Sequence, residues 1–271
     1  MRKWYNKKMT EQFLKEASHI ARSAGELIME MQAQDRKVSY KSARDMVTEV
    51  DQACENLIVS ALQERFPDHN ILAEEGGDHE NRESDYQWII DPLDGTTNFV
   101  HGFPAYCVSI GLHYQNQALL GVIYDPLRDE IFTASRGNGA FLNNKPIEVS
   151  KTDSLDRSLL ATGFPYANDE TFDLNMQLWV KIYGQTQGLR RAGAAALDLA
   201  WTACGRLDGF WEMELKPWDM AAGVLLVTEA GGSVSSPTQD QFSIFAGNVV
   251  ATNAKLHTIL KTEIKTIISS A

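Results

Sequence analysis

Long apolar runs are missing from this sequence. None approaches the roughly 20 residues that a helix needs to cross a bilayer, which argues against a membrane-spanning helix. Cysteine is scarce: Cys54, Cys107 and Cys204 are the only three. They are too far apart for a zinc-ligand spacing or a disulfide framework, so a reducing compartment, the cytoplasm, is expected. Positive charge is scarce as well. The 25 Lys and Arg against 36 Asp and Glu leave a formal charge of −11, a poor match to nucleic acid or to an anionic membrane surface. The basic first residues lead into an amphipathic segment, not the apolar core of a signal peptide. There is no internal repeat, low-complexity tract or flexible linker, so the chain reads as one compact unit. Its 271 residues, 44% hydrophobic and 23% charged, suffice for a sizeable core.

Periodicity divides the chain into two halves. In residues 1–149, apolar positions at spacings of three and four predict a helix over 10–31, with Thr10 as its cap, and a second from about Thr48 to Phe66 stopped by Pro67. A strand over 70–73 follows. Beyond residue 104, period-two patterns predict strands over 106–114, 118–124 and 130–135, joined by turns. This half reads as helices on a largely antiparallel sheet. In residues 150–271, strands at 159–162, 208–213 and 249–252 alternate with helices at 170–183, 193–204, 218–230 and 254–268, an α/β rhythm.

The most informative segment runs from Trp88 to Pro104. Trp88, Ile89 and Ile90 deliver Asp91 and Asp94 to the end of a strand, which Pro92, having no N–H, is expected to stop. Gly95, Thr96 and Thr97 then open a helix whose first N–H groups have no internal partner. Acids able to hold hard cations thus stand beside an anion cradle, a combination suited to phosphate-ester chemistry. Asp-Pro and Asp-Gly are also ordinary turn chemistry, so other segments must contribute. Two alternatives do not fit: the acids lack the spacing of a calcium-binding EF-hand loop. Phosphatases with a phospho-aspartate carry two aspartates separated by one residue, whereas two separate Asp91 from Asp94.

Three further segments resemble site loops: Lys41 to Thr48 with Asp45, Ala73-Glu74-Glu75-Gly76-Gly77, and Lys216 to Gly223 with Asp219 at a helix start. Each alone is explained by a solvated acid or a helix cap. Together with Trp88 to Pro104 and Arg191-Ala192-Gly193-Ala194-Ala195, they stand in the order and approximate spacing of the inositol monophosphatase family. The chain resembles that family over nearly its whole length.

The resemblance implies a layered αβαβα sandwich, with an antiparallel sheet in one half and a mixed sheet in the other. It implies a magnesium-dependent, lithium-sensitive phosphatase and a homodimer. Matched motif by motif, the metal ligands are Glu74, Asp91, the Leu93 carbonyl, Asp94 and Asp219, serving two Mg²⁺ ions and a weaker third near Glu74. Gly95 and Thr96 N–H groups bind phosphate. Catalysis falls to Asp45, Glu74 and Thr96: Thr96, held by Asp45, orients a metal-activated water that attacks directly, without a covalent phosphoenzyme. His101 and Lys41 are left orientation or loop roles at most.

Asp94, the Ala195 backbone, Glu212 and Asp219 match the positions that contact sugar hydroxyls. Inositol monophosphate, or a similar small polyol phosphate, is therefore the expected substrate. Fructose 1,6-bisphosphate, the 2′-phosphate of NADP and 3′-phosphoadenosine 5′-phosphate remain alternatives on the same metal core, and the Arg190-Arg191 pair leaves room for a second phosphorylated group. A different class of role also stays open. A bacterial family member binds transcription complexes and acts in ribosomal RNA maturation, and Arg190-Arg191 resembles the bacterial pattern; the acidic charge argues against direct RNA binding.

Overall fold

The computed structural model describes residues 7–32, 38–40, 46–79, 84–165 and 169–269. Helix α1 (Lys7–Gln32) buries Phe13, Ala17, Ile20, Ala24 and Ile28, the stripe that the spacing predicts. It begins a turn earlier than expected. Thr10 lies inside it and is buried, so it packs and does not cap. A short antiparallel ladder of β1 (Val38–Tyr40) and β2 (Met46–Thr48) leads into α2 (Glu49–Arg65). Thr48 is its N-cap: the hydroxyl accepts from Val50 N, and Asp51 accepts from Thr48 N in return, a capping box.

The first large sheet holds eight strands: β3 (Asn70–Ala73), β4 (Gly77–His79), β5 (Tyr86–Asp94), β6 (Cys107–Tyr114), β7 (Gln117–Asp125), β8 (Glu130–Ser135), β9 (Ala140–Leu142) and β10 (Lys145–Ile147). Their order is β10-β9-β8-β7-β6-β5-β3-β4, antiparallel throughout except for the parallel pair β3–β5. Helix α3 (Thr96–His101) follows β5. Pro92 does not end β5. Asp91 pairs with Ser109 and Asp94 with Cys107, with a register shift between them. Pro92 and Leu93 thus sit in a bulge, where a missing N–H costs no ladder bond and the strand resumes beyond it.

The second sheet is built from β11 (Leu159–Thr162), β12 (Gly188–Arg190), β13 (Gly209–Glu212), β14 (Ser233–Ser235) and β15 (Val249–Thr252), in the order β12-β11-β13-β15-β14. The β11 pairs are parallel and the β15 pairs antiparallel, so the sheet is mixed. Its helices are α4 (Glu170–Tyr183), α5 (Ala195–Ala203), α6 (Pro217–Met220), α7 (Gly223–Glu229) and α8 (His257–Ile268). The single helix expected over 218–230 is two. The break at Ala221 and Ala222 presses onto β6 and β7, where a Cβ on Gly111 would come within 2.8 Å of Ala221 Cβ, and one on Gly121 within 2.6 Å of Ala222 O. Only glycine admits that approach.

Burial orders the layers. Trp88 and Ile90 of β5 pack under α1 and α2, while Ile89 faces the opposite way, towards α5 and α7. In the second sheet Phe210 and Ala251 share that inner core, and Trp211 and Val250 face α4 and α8. The result is helices, sheet, helices, sheet, helices: the expected αβαβα sandwich. No helix among the described residues is long and apolar enough to cross a membrane.

Candidate active site

The ends of β5 and β13 and the starts of α3, α5 and α6 open onto one cleft of about 750 Å³. Glu74, Asp91, Asp94, Thr96, Glu212 and Asp219 all line it, as do Leu93, Gly95 and Ala195. The structure therefore brings together every expected site residue that it describes. Asp45 and Lys41 lie outside the described residues. His101 ends α3 exposed and does not line the cleft; Arg191 lines it and Arg190 does not.

The bulge in β5 sets the geometry of the first wall. Asp91 is buried, and its Oδ1 accepts from Leu93 N at 3.0 Å. Asp94 Oδ2 accepts from Ala196 N at 2.7 Å, in the first turn of α5, and the Cys107 thiol stands 3.7 Å away. Gly95 caps α3 at φ +98°, a left-handed conformation natural to glycine. A Cβ there would come within 2.8 Å of Ala105 O. Thr96 follows, its hydroxyl donating to Asp51 Oδ1 at 2.7 Å and standing 3.1 Å from Leu93 O. At the start of α6 Asp219 Oδ2 accepts from Lys216 N at 2.6 Å, and its carboxyl is within hydrogen-bond reach of Asp91.

The acids are held against their own repulsion. Burial, with Glu74, Asp94 and Asp219 nearby, pushes Asp91 well above the usual carboxylate range. Asp94 is raised to about 6, by burial first. Asp219 is raised to about 7 by burial and by Asp94. Glu212 is raised by burial, then by Asp219 and Asp198. Desolvated carboxylates without matching cations resist ionisation, and a bound divalent ion reverses that. The donors are hard oxygens, the set Mg²⁺ takes. Among the described residues no three acidic, imidazole or thiol side chains already close around one ion-sized point. An ion would have to draw these carboxylates inward. The residues fit the metal by chemistry and by their unrelieved charge.

Four neighbours were not singled out from the sequence. Asp51 carries the Thr96 contact; its capping role was legible in Thr48-Glu49-Val50-Asp51, its reach across 45 residues was not. Glu55 on α2 accepts from Glu75 N at 2.8 Å, anchoring the turn that bears Glu74. Asn98 donates to Ala105 O and Ala192 O, at 2.6 and 2.8 Å, joining α3 to the loop before α5. Asp198 is buried in α5, and its Oδ1 has no partner among the described residues.

The model of the inositol monophosphatase family matches residues 9–269. This chain belongs to that family. Family relatives include the inositol-1-monophosphatase of Synechocystis sp., 46% identical over 246 residues, covering 90% of this chain and 86% of the relative. A protein called Nus factor SuhB, from Pseudomonas aeruginosa, is 48% identical over 255 residues, covering 92% and 94%. Among solved structures, the extragenic suppressor protein suhB of Bartonella henselae superposes with a TM-score of 0.90 at 37% identity, over 94% of this chain and 98% of that one. Membership makes the chain a phosphatase of the inositol monophosphatase type, and four of its five motifs meet at the cleft, the one at residues 45–48 beginning outside the described residues.

Proposed function

We propose that the chain is a Mg²⁺-dependent phosphomonoesterase that hydrolyses inositol monophosphate, or a similar small polyol phosphate, by direct attack of water. The observation that carries this reading is the cleft in which buried Asp91 and Asp94 and partly buried Asp219, mutually repelling, stand beside the start of α3 and share the lining with Glu212. Glu74, Asp91, the Leu93 carbonyl, Asp94 and Asp219 would hold two or three Mg²⁺ ions. Bound there, Mg²⁺ would lower the pKa of water and neutralise charge on the phosphate and the leaving oxygen. Thr96, fixed by Asp51 beside the Leu93 carbonyl, orients the attacking water and helps take its proton, handing its own hydroxyl proton to the Asp51 carboxylate. Asp45 is the further partner that the family resemblance assigns to Thr96. Backbone N–H groups of Gly95 and Thr96 receive the phosphate oxygens. Asp94, Glu212, Asp219 and the Ala195 backbone meet the polyol hydroxyls.

The test is phosphate release with Mg²⁺ from inositol 1-phosphate, fructose 1,6-bisphosphate, NADP and 3′-phosphoadenosine 5′-phosphate, each with and without lithium. Preferred, lithium-sensitive turnover of inositol 1-phosphate is expected. Preference for another ester would move the substrate and keep the chemistry; release from none would overturn the reading.

A second reading, a binding role in transcription, draws on the relatives called Nus factor SuhB. Under it, a variant stripped of a metal ligand keeps wild-type association with the transcription complex; association that disappears along with catalysis counts against it. The homodimer implied by the family is tested by sedimentation of the free protein.

A further inference from the structure

Glu212 ends β13, and its carboxylate lies flat on the Cα of Gly163: a Cβ built on that glycine would overlap Oε1, Cδ and Oε2 together. Gly163 is the first residue after β11, which runs parallel to β13 with Thr162 beside Trp211. The carbonyl of Gly163 accepts from Nδ2 of Asn175, a wholly buried residue on α4. The other end of the same amide, Oδ1, accepts from Trp211 Nε1 at 3.1 Å, and Trp211 immediately precedes Glu212. Phe164 tilts against Phe172 and Trp179 of α4, with ring centroids 5.7 and 5.8 Å apart, fastening the next residue of the loop to the same helix. One buried carboxamide therefore ties together the helix, the loop that Glu212 rests on and the strand that carries it. The task needs a donor and an acceptor on one short side chain. Aspartate lacks the donor and leucine lacks both. Asn175 itself does not line the cleft.

We propose that Asn175, acting through Gly163, is the positioning residue that fixes Glu212 as the group reading the substrate's hydroxyls. Selectivity for polyol esters over esters without neighbouring hydroxyls is then set from behind the site, on α4. This rests on the reading of Glu212 as a substrate contact. A hydroxyl contact made equally before and during reaction governs KM and leaves kcat alone.

The experiment measures kcat and KM with Mg²⁺ for inositol 1-phosphate and for phenyl phosphate, which has no hydroxyl to offer, in wild type, E212Q, N175L, N175D and G163A. Loss of a hydrogen bond to a charged group raises KM for inositol 1-phosphate about tenfold or more. N175L, N175D and G163A should show that rise with kcat and the phenyl phosphate constants held, and N175L with E212Q together should be no worse than E212Q. G163A, whose Cβ displaces the Glu212 carboxylate directly, checks that the place of that carboxylate governs selectivity, and the near-isosteric N175D carries the test of Asn175 if N175L folds poorly. An unchanged ratio of the two esters in well-folded variants overturns the proposal; so does an E212Q variant with wild-type selectivity. Crystals of N175L report the place of the Glu212 carboxylate irrespective of turnover, and an unmoved carboxylate there also overturns it. A wild type inactive on both esters would instead break the proposed activity, leaving the crystals to decide the positioning role.

Discussion

The two ends of β5 obey opposite rules. At the Tyr86 end, Trp88 is fully buried and donates to His69 Nδ1 at 3.1 Å, while His69 stacks on Tyr86 at 4.5 Å and Phe66 stacks on Trp88 at 5.4 Å. Phe13 closes the cluster edge-on from α1. Every ring there has a partner, and the end of the strand exists to be stable. Three and six residues on from Trp88, Asp91 and Asp94 are buried too, yet their neighbours are acids of the same sign. Burial without charge compensation costs stability. One strand thus anchors the fold at one end and holds strained electrostatics at the other, and the contrast locates the active site without reference to substrate.

The comparison is broken most severely by Asp94→Asn. Losing several kcal/mol of metal-assisted stabilisation should lower turnover about a thousandfold, while the metal-free melting temperature stays level or rises because a repelled charge has gone. Near-normal turnover in a steady-state assay would remove Asp94 from the machinery. At the other end, Trp88→Ala should cost about 3–5 kcal/mol by chemical denaturation, with kcat per folded molecule unchanged. A loss under 1 kcal/mol would mean that the ring cluster is not the anchor described.

The smallest effect is a pair of opposed pH slopes in the metal-free protein. Asp94 and Asp219 are raised from 3.8 to about 6 and about 7, so the stability they contribute is present at low pH and lost as pH rises through those values. His69 is lowered from 6.5 to about 4, chiefly by burial, so its contribution is present above 6.5 and lost as pH falls towards 4. Asp94→Asn should steepen the loss of melting temperature on acidification from pH 6.5 to 4, and His69→Gln should lessen it. Mg²⁺ should raise the melting temperature more at pH 8 than at pH 5, since ions compete with protons for the same carboxylates. Equal shifts at both pH values would mean that Mg²⁺ does not bind at the raised acids.

Much of this was legible in the chain. Strands 70–73, 130–135, 159–162 and 249–252 and helix 170–183 stand where periodicity placed them. Strand 70–73 and helix 170–183 bury one face, which spacing reports, while strands 159–162 and 249–252 are short apolar runs buried on both faces. The misses share a cause in long-range packing. Thr10 resembles a cap until the turn before it is seen to be helical, and Pro92 reads as a stop until the partner strand accommodates a bulge. The break at Ala221 and Ala222 comes from glycines on two distant strands. The short strand 188–190 carries too few residues for a pattern.

Local chemistry alone determined the kinds of group in play: the acids of Asp91-Pro-Leu-Asp94, the glycine start of α3, and five motifs whose order marks the family. Tertiary structure alone decided which of them meet. Asp51 reaches Thr96, Ala196 N reaches Asp94, and Asn175 reaches Gly163 and Trp211, because two sheets and the helices between them are stacked in one order. A residue type is written into the chain one position at a time. A contact across a hundred positions forms only when burying apolar faces repays the entropy of bringing its ends together.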